Sequence, residues 1–274
     1  MNLPAAVLLG VIQGLTEFLP VSSSAHLILA RAFFGWQTPP ELGLAFDVAL
    51  HVGTLAAIVL FFRQELTAMA AAVPGMFSSD PGDHGRLLWR LAAGTVPVVI
   101  VGVLFNEVIE QTLRTPAVAG AALAVGAVAM FAAERLGPRA RTEGSLGWMD
   151  AVLIGCAQAS ALIPGVSRSG STIAVGMFLG LRRDAAARFT FLLAVPAMVA
   201  AAAKEALELR ELAVTGHIVG MFAIGTIVSA VVGYVTIKFF LRYLARHRLD
   251  VFAYYRLALA AATLAWLVGA WGRP

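Results

Sequence analysis

The sequence predicts an all-α polytopic membrane protein. It is built as an inverted repeat of two halves, each a re-entrant helical hairpin followed by three transmembrane helices, six spans in all. Three observations predict this. Hydrophobic residues make up 59% of the chain and charged ones 13%, with a mean hydropathy of +0.83, whereas a soluble domain carries roughly 25% charge. The apolar runs are long and continuous rather than alternating, which selects helices over a barrel among the structures that satisfy backbone polar groups in lipid. Finally, Gly10 to Ile28 (GVIQGLTEFLPVSSSAHLI) matches a later stretch at a constant offset of 145: Gly10 with Gly155, Gln13 with Gln158, Ser22 with Ser167, Ser24 with Ser169 and Ile28 with Ile173. Phe46 and Phe191 continue the offset, and the weaker pairs Gly94-Thr95 and Gly225-Thr226 match after a 14-residue gap.

Taken in order, residues 2–19 are apolar, carry Gln13 and Glu17, and stop at Pro20. Residues 21–35 resume as a second short helix closing near Gly35. Each piece falls short of the roughly 20 residues a span needs, so together they form a hairpin over 2–35. A span follows near 42–62, then a polar loop with Pro74, Gly75, Pro81 and Gly82, then spans near 88–106 and 116–134. The charged, glycine-bearing linker from Gly137 to Gly147 divides the halves, 1–140 and 141–274. The second half repeats the plan: a hairpin over 149–180 and spans near 186–203, 217–240 and 252–271.

Charge tests the topology through the excess of Lys and Arg on cytoplasmic loops. One side receives 14 of the 20 Lys and Arg, among them Arg63, Arg86, Arg135, Arg183, Lys238 and Arg256. The other side receives five, Arg31, Arg114, Lys204, Arg210 and Arg273, and Arg168 stays inside the membrane. Both termini are therefore expected outside the cytoplasm. With three spans per half the hairpins enter from opposite faces and can meet. The net charge of +4 reads as topology-setting charge, not as a nucleic-acid surface. The single Cys156 excludes an intrachain disulfide and any Cys-based metal cluster;. The start, MNLPAAVLLG, lacks the features of a signal peptide;.

The chemistry sits at the two breaks. Broken helices in corresponding halves of a membrane protein point to its binding site. Gln13 and Glu17 share one helical face, and a carboxylate inside the membrane reads as functional. Ser22, Ser23 and Ser24 open the next helix as capping residue types, and Ser23 and His26 are spaced to face one cavity. In the second break Pro164-Gly165 interrupts the helix, and Ser167, Arg168, Ser169, Gly170, Ser171 and Thr172 restart it. Helix N-termini favour phosphate, and arginine suits bidentate phosphate contact. Ser22, Ser24, Ser167, Ser169, Gly170 and Thr172 are thus candidate phosphate-binding residues. Glu17, Ser23, His26 and Arg168 are candidate catalytic residues for phosphoryl transfer. Glu17 serves as metal ligand or general base, His26 as base or acid, and Ser23 or a water as nucleophile.

QGLTEFLPVSSSAH at 13–26 and PGVSRSG at 164–170 resemble the two signature motifs of the bacterial undecaprenyl-diphosphatase family, the bacitracin-resistance type. The similarity extends over the whole chain, including FLLAVP at 191–196. The resemblance implies removal of the terminal phosphate of undecaprenyl diphosphate at the outer face of the inner membrane, recycling the lipid carrier for peptidoglycan. It also implies a divalent cation, Mg2+ or Ca2+, and a homodimer. Carried over, the acidic motif falls on Gln13 and Glu17, the serine and histidine on Ser23 and His26, and the arginine on Arg168. Many members have Glu where this chain has Gln13, which shifts weight onto Glu17 as metal ligand, with Gln13 beside it. Ala25 stands where Gly is common.

Competing classes are a transporter or flippase of polyprenyl phosphate, since inverted repeats are common in transporters, and an anion channel. The set of Glu17, Ser23, His26 and Arg168 favours chemistry. Asp47 and His51 share a face of the first long helix and either line the cavity or pair near its end. Glu107 and Glu110 beside Arg114 read as an exposed cluster, and Lys204, Glu205, Glu208, Arg210 and Glu211 as a solvated outer loop. Trp148, Trp266 and Trp271 suit interfacial anchoring.

Overall fold

Each helix forms where the sequence supplies a long apolar run and stops where Gly, Pro or charge interrupts it. A computed structural model describes residues 2–36, 40–208 and 216–271, and these are predominantly helical. The order is α1 (Leu3–Thr16), α2 (Ser23–Phe34), α3 (Pro40–Phe61), α4 (Arg63–Ala72), α5 (Gly82–Val108), α6 (Pro116–Leu136), α7 (Trp148–Ser160), α8 (Arg168–Phe178), α9 (Arg183–Glu208), α10 (Gly216–Leu244) and α11 (Asp250–Trp271). Among the described residues the only β pairing is a single bridge between Arg141 and Leu181. Among the described residues six helices are long and apolar enough to cross a membrane, namely α3, α5, α6, α9, α10 and α11. Their outward faces carry bare aliphatic side chains, such as Val103 at 77% and Val125 at 71% exposure, as lipid contact requires;.

The short helices α1, α2, α7 and α8 lie among these six. Asn2 caps α1 through Ala5 N, and Pro4 fits its first turn;. Gly35, in the left-handed conformation at φ 63°, ends α2;. Helix α1 packs along α10, and α7 packs along α5. Both crossings are made at paired glycines. A Cβ on Gly10 would stand 2.8 Å from the Gly225 carbonyl, and one on Gly155 would collide with the Gly94 carbonyl. Small residues let helix backbones close on each other where lipid offers no hydrophobic drive. The aromatic core then wraps the breaks, with Phe18 edge-on to Phe191 at 5.5 Å.

Three sequence expectations need correction. The stretch after Phe62, expected to be a polar loop, forms α4, because Arg63–Ala72 is dominated by good helix formers and the breakers begin only at Pro74;. Helix α5 also starts at Gly82, six residues before the expected 88. Arg256, counted with the solvated positive charges, is fully buried in α11. Its guanidinium donates to Leu123 O, Ala122 O, Pro20 O, Gly165 O and Val166 O at 2.9–3.2 Å. Carbonyl dipoles, not an anion, hold this charge, and the wet count on that side falls from 14 to 13. Arg210, Glu211 and Arg273 lie outside the described residues.

Candidate active site

The two breaks form the same local structure. Ser22 and Ser167 precede α2 and α8 with φ 72° in both and ψ of 99° and 112°. Each hydroxyl accepts from the N–H three residues on, Ala25 N at 3.4 Å and Gly170 N at 3.1 Å. Each is also bonded to the hydroxyl two residues on, Ser24 at 3.2 Å and Ser169 at 3.3 Å. The breaks touch: Ser169 Oγ donates to Leu19 O at 3.1 Å, and Arg256 joins Pro20 O to Gly165 O and Val166 O.

At their meeting point stands Glu17, 7% exposed. Arg168 Nη2 donates to its Oε1. Its Oε2 accepts from Ser23 Oγ at 2.6 Å and Gln13 Nε2 at 2.9 Å, and lies 3.3 Å from His51 Nε2. One carboxylate is therefore held by side chains of α1, α2, α3 and α8. His51 Nδ1 is bonded to Asp47 O at 2.7 Å, so both ring nitrogens face acceptors. One turn earlier, Asp47 accepts from Arg31 Nη2 and Arg114 Nη2, each at 2.6 Å. Helix α3 thus carries one side chain into the site and another into a charge pair at its rim, so of the two readings of this pair His51 lines the cavity.

A cavity of about 280 Å³ opens beside Glu17. Ser22, Ser23, Ser24 and His51 line it from the first half, and Ser167 and Arg168 from the second. Of the other sequence candidates, Ser169, Gly170 and Thr172 do not line it. The Gly170 N–H is taken by Ser167, and Thr172 Oγ1 donates back to Arg168 O at 2.6 Å while accepting from Thr190 at 2.9 Å. They build the hairpin that presents Arg168. His26 also faces elsewhere. Its Nδ1 is bonded to Ser22 O at 2.7 Å and its Nε2 to Tyr255 Oη at 2.8 Å, with the rings stacked. The expected Ser23–His26 partnership is replaced by Ser23–Glu17, because the turn of α2 that directs Ser23 at the carboxylate sends His26 toward α11.

Several lining residues escaped the sequence reading: Gln158, Asn106, Arg114 and Met198. Gln158 had a signal, its pairing with Gln13. Glu110 lines the rim and is 3.6 Å from Lys204, and the π-helical turn Ile109–Leu113 carries it there. Arg114, expected in a cluster with Glu107 and Glu110, instead turns inward to Asp47.

The donor set can be tested against a divalent cation. Among the described residues no three His, Cys, Asp or Glu side chains form a metal cluster. Glu17 nonetheless lines the cavity as a hard oxygen donor, and Gln13, which donates Nε2 to it at 2.9 Å, has a second hard oxygen, Oε1, buried without a partner. This fits Mg2+, which takes few protein ligands and completes its shell with water and substrate phosphate oxygens.

Residues 6–262 match the family described as bacitracin resistance protein BacA. The chain belongs to that family. A Rubrobacter xylanophilus protein named undecaprenyl-diphosphatase is 45% identical over 98% of this chain and 99% of its own length. One from Chlorobium luteolum, with the same name, is 44% identical over 98% of both chains. A Stutzerimonas stutzeri protein named undecaprenyl-diphosphatase 2 is 45% identical over 98% of this chain and all of its own length. The two motifs that carried the family resemblance are the two breaks around Glu17.

Proposed function

We propose that the chain hydrolyses undecaprenyl diphosphate to undecaprenyl phosphate and inorganic phosphate at the cavity beside Glu17. The observation that carries the reading is the Ser23 hydroxyl, donated to Glu17 at 2.6 Å beside Arg168 in a cavity where both halves meet. A cavity of about 280 Å³ lined by hydroxyls and Arg168 suits a diphosphate head. The prenyl tail stays in lipid against the apolar outer faces.

Arg168 holds and neutralises the terminal phosphate, aided by the hydroxyls of Ser22, Ser24 and Ser167. Ser23 Oγ attacks the terminal phosphorus while its proton passes to Glu17. The bond from phosphorus to the bridging oxygen breaks, and undecaprenyl phosphate leaves. Water then attacks the phosphoserine phosphorus, the Ser23 Oγ–P bond breaks, Glu17 returns its proton to Ser23 Oγ, and inorganic phosphate is released. His51, bonded to Asp47 O and facing Glu17, orients the carboxylate. His26 positions the Ser22 carbonyl. Gln13 and Glu17 would hold a divalent cation, Mg2+ or Ca2+, which when bound supplies charge neutralisation at the diphosphate.

The finer architecture belongs to the same reading: residues 1–140 and 141–274 are two halves of an inverted repeat, each a re-entrant hairpin plus three spans. The repeat offset, the matched Ser22 and Ser167 backbones and the reciprocal glycine crossings support it. The excess of Lys and Arg on one side supports both termini and the cavity mouth facing the periplasm of a bacterial inner membrane. The enzyme acts as a homodimer that recycles the carrier lipid for cell-wall synthesis. No observation favours the transporter reading over hydrolysis.

Phosphate release by the detergent-purified protein, with and without EDTA, tests the reaction. Glu17→Gln and Arg168→Ala should each lower kcat/KM by roughly 100-fold or more, and EDTA should abolish release. Release that survives both substitutions, or absence of release from folded wild type, would refute the assignment.

A further inference from the structure

Gln158 lines the cavity as a buried side chain, 2% exposed, and neither of its amide atoms, Nε2 or Oε1, has a hydrogen-bond partner. A carboxamide offers two donors and an acceptor, and burying them unmet costs free energy. Val98, Ala161 and Leu162, which line the same cavity, have apolar side chains. The backbone beneath is fixed: one turn earlier Gly155 presses on the Gly94 carbonyl, so α7 cannot move to relieve the amide.

Its repeat partner shows what this position can do. Gln13, 145 residues earlier, donates Nε2 to the Glu17 carboxylate at 2.9 Å. At the position of the second repeat that matches Glu17 stands Leu162, so Gln158 has no carboxylate of its own to donate to. An anionic oxygen is missing where the first repeat has one.

We propose that Gln158 is a substrate-binding residue, its Nε2 donating to a diphosphate oxygen and its Oε1 accepting from a water carried with the head group. The inference rests on the diphosphate reading of the cavity and adds a contact from α7 to those of Arg168 and Ser167. Gln158 breaks no bond in the reaction. It holds the anion in a site whose charged anchor, Arg168, already pairs with Glu17.

The test compares wild type with Gln158→Met and Gln158→Asn, purified in detergent with magnesium present. KM and kcat are measured for undecaprenyl diphosphate, the Kd of inorganic pyrophosphate by calorimetry, and the melting temperature of each protein. Loss of a hydrogen bond to a charged group should raise KM and the pyrophosphate Kd together by roughly 10- to 100-fold in the Met variant, and less in the Asn variant, with kcat moving less than KM. The melting temperature should hold or rise, because no protein hydrogen bond is removed. Unchanged KM and Kd in the Met variant overturn the inference, and so does a lowered melting temperature with both constants unmoved. Wild type that binds pyrophosphate but hydrolyses nothing would end the phosphatase reading, while the Kd comparison would still decide the contact.

Discussion

Ser22 and Ser167, 145 residues apart, share a backbone that few non-glycine residues adopt, with φ 72° in each. Each turns the chain into a new helix and caps it, so the same strained turn is built twice and brought face to face. Left-handed backbone is accepted at little cost only by glycine, yet a serine stands at both positions. The hydroxyl is the compensation, since it binds the N–H of the third residue of the new helix and the hydroxyl two residues on.

That trade separates two substitutions at Ser167. Ser167→Ala keeps the strain and loses the cap, and should lower stability by about 1–2 kcal/mol. Ser167→Gly loses the cap but relieves the backbone, and should cost only a few tenths of a kcal/mol. Melting curves in detergent compare them directly. Equal losses would mean that the turn carries no strain.

Much of this site was legible in the sequence because its chemistry is local. Pro20 and Pro164-Gly165 announce the breaks, and the serines after them announce new helix starts. Glu17 and Arg168 stand out as charges among apolar neighbours. What the sequence withheld is which side chain each one meets. Ser23 and His26 have the spacing of partners, yet the turn of α2 gives Ser23 to Glu17 and His26 to Tyr255, 229 residues away. Arg256 sits near the start of an apolar helix, where charge usually snorkels to water. The carbonyls of α6 and of both breaks make its burial tolerable, and those come from distant segments.

The His26–Tyr255 contact yields its own expectation. Tyr255→Phe keeps the stacked ring and removes the 2.8 Å bond to Nε2. Freed on that side, His26 holds the Ser22 carbonyl less firmly, and kcat/KM should fall by roughly 2- to 10-fold, the worth of one neutral hydrogen bond. A fall above a hundredfold would show that Tyr255 takes part in the chemistry directly.

On the positively charged side, Arg188 of α9 is shared by Glu65 of α4 at 2.8 Å and Glu143 of the linker at 3.3 Å. Burial pushes the Glu143 carboxyl up from its ordinary 4.5, and the nearby Arg188 only partly offsets this. A carboxyl with a raised folded pKa destabilises the fold once it must ionise, so stability falls as pH rises from the unfolded value through the folded one. Glu143→Gln removes that ionisation. It should melt above wild type at neutral pH, and the gap should close as pH falls below about 4.5. A gap that widens in acid would reverse the sign and make the Arg188 pair the larger contribution.

Arg256 is the place where a structural substitution should cost most. Removing its guanidinium leaves the Pro20, Gly165 and Val166 carbonyls at the breaks without this donor, and each buried unsatisfied carbonyl costs ~1–3 kcal/mol. Arg256→Met should therefore destabilise the protein by more than about 3 kcal/mol. Arg256→Lys recovers only part of this, because an ammonium with three donors cannot span carbonyls that a planar fork reaches together. Gly126 supplies an independent test. A Cβ there would collide with the Arg256 guanidinium, so the residue is glycine to leave room for the side chain. Gly126→Ala should cost about 1–3 kcal/mol by overpacking and lower activity by displacing the clamp from Pro20 O and Gly165 O. Placing Gly126→Ala in the Arg256→Lys background, where no fork remains to be displaced, should cost clearly less than in wild type. Additive losses in that cycle would mean that Gly126 serves helix packing and not the arginine.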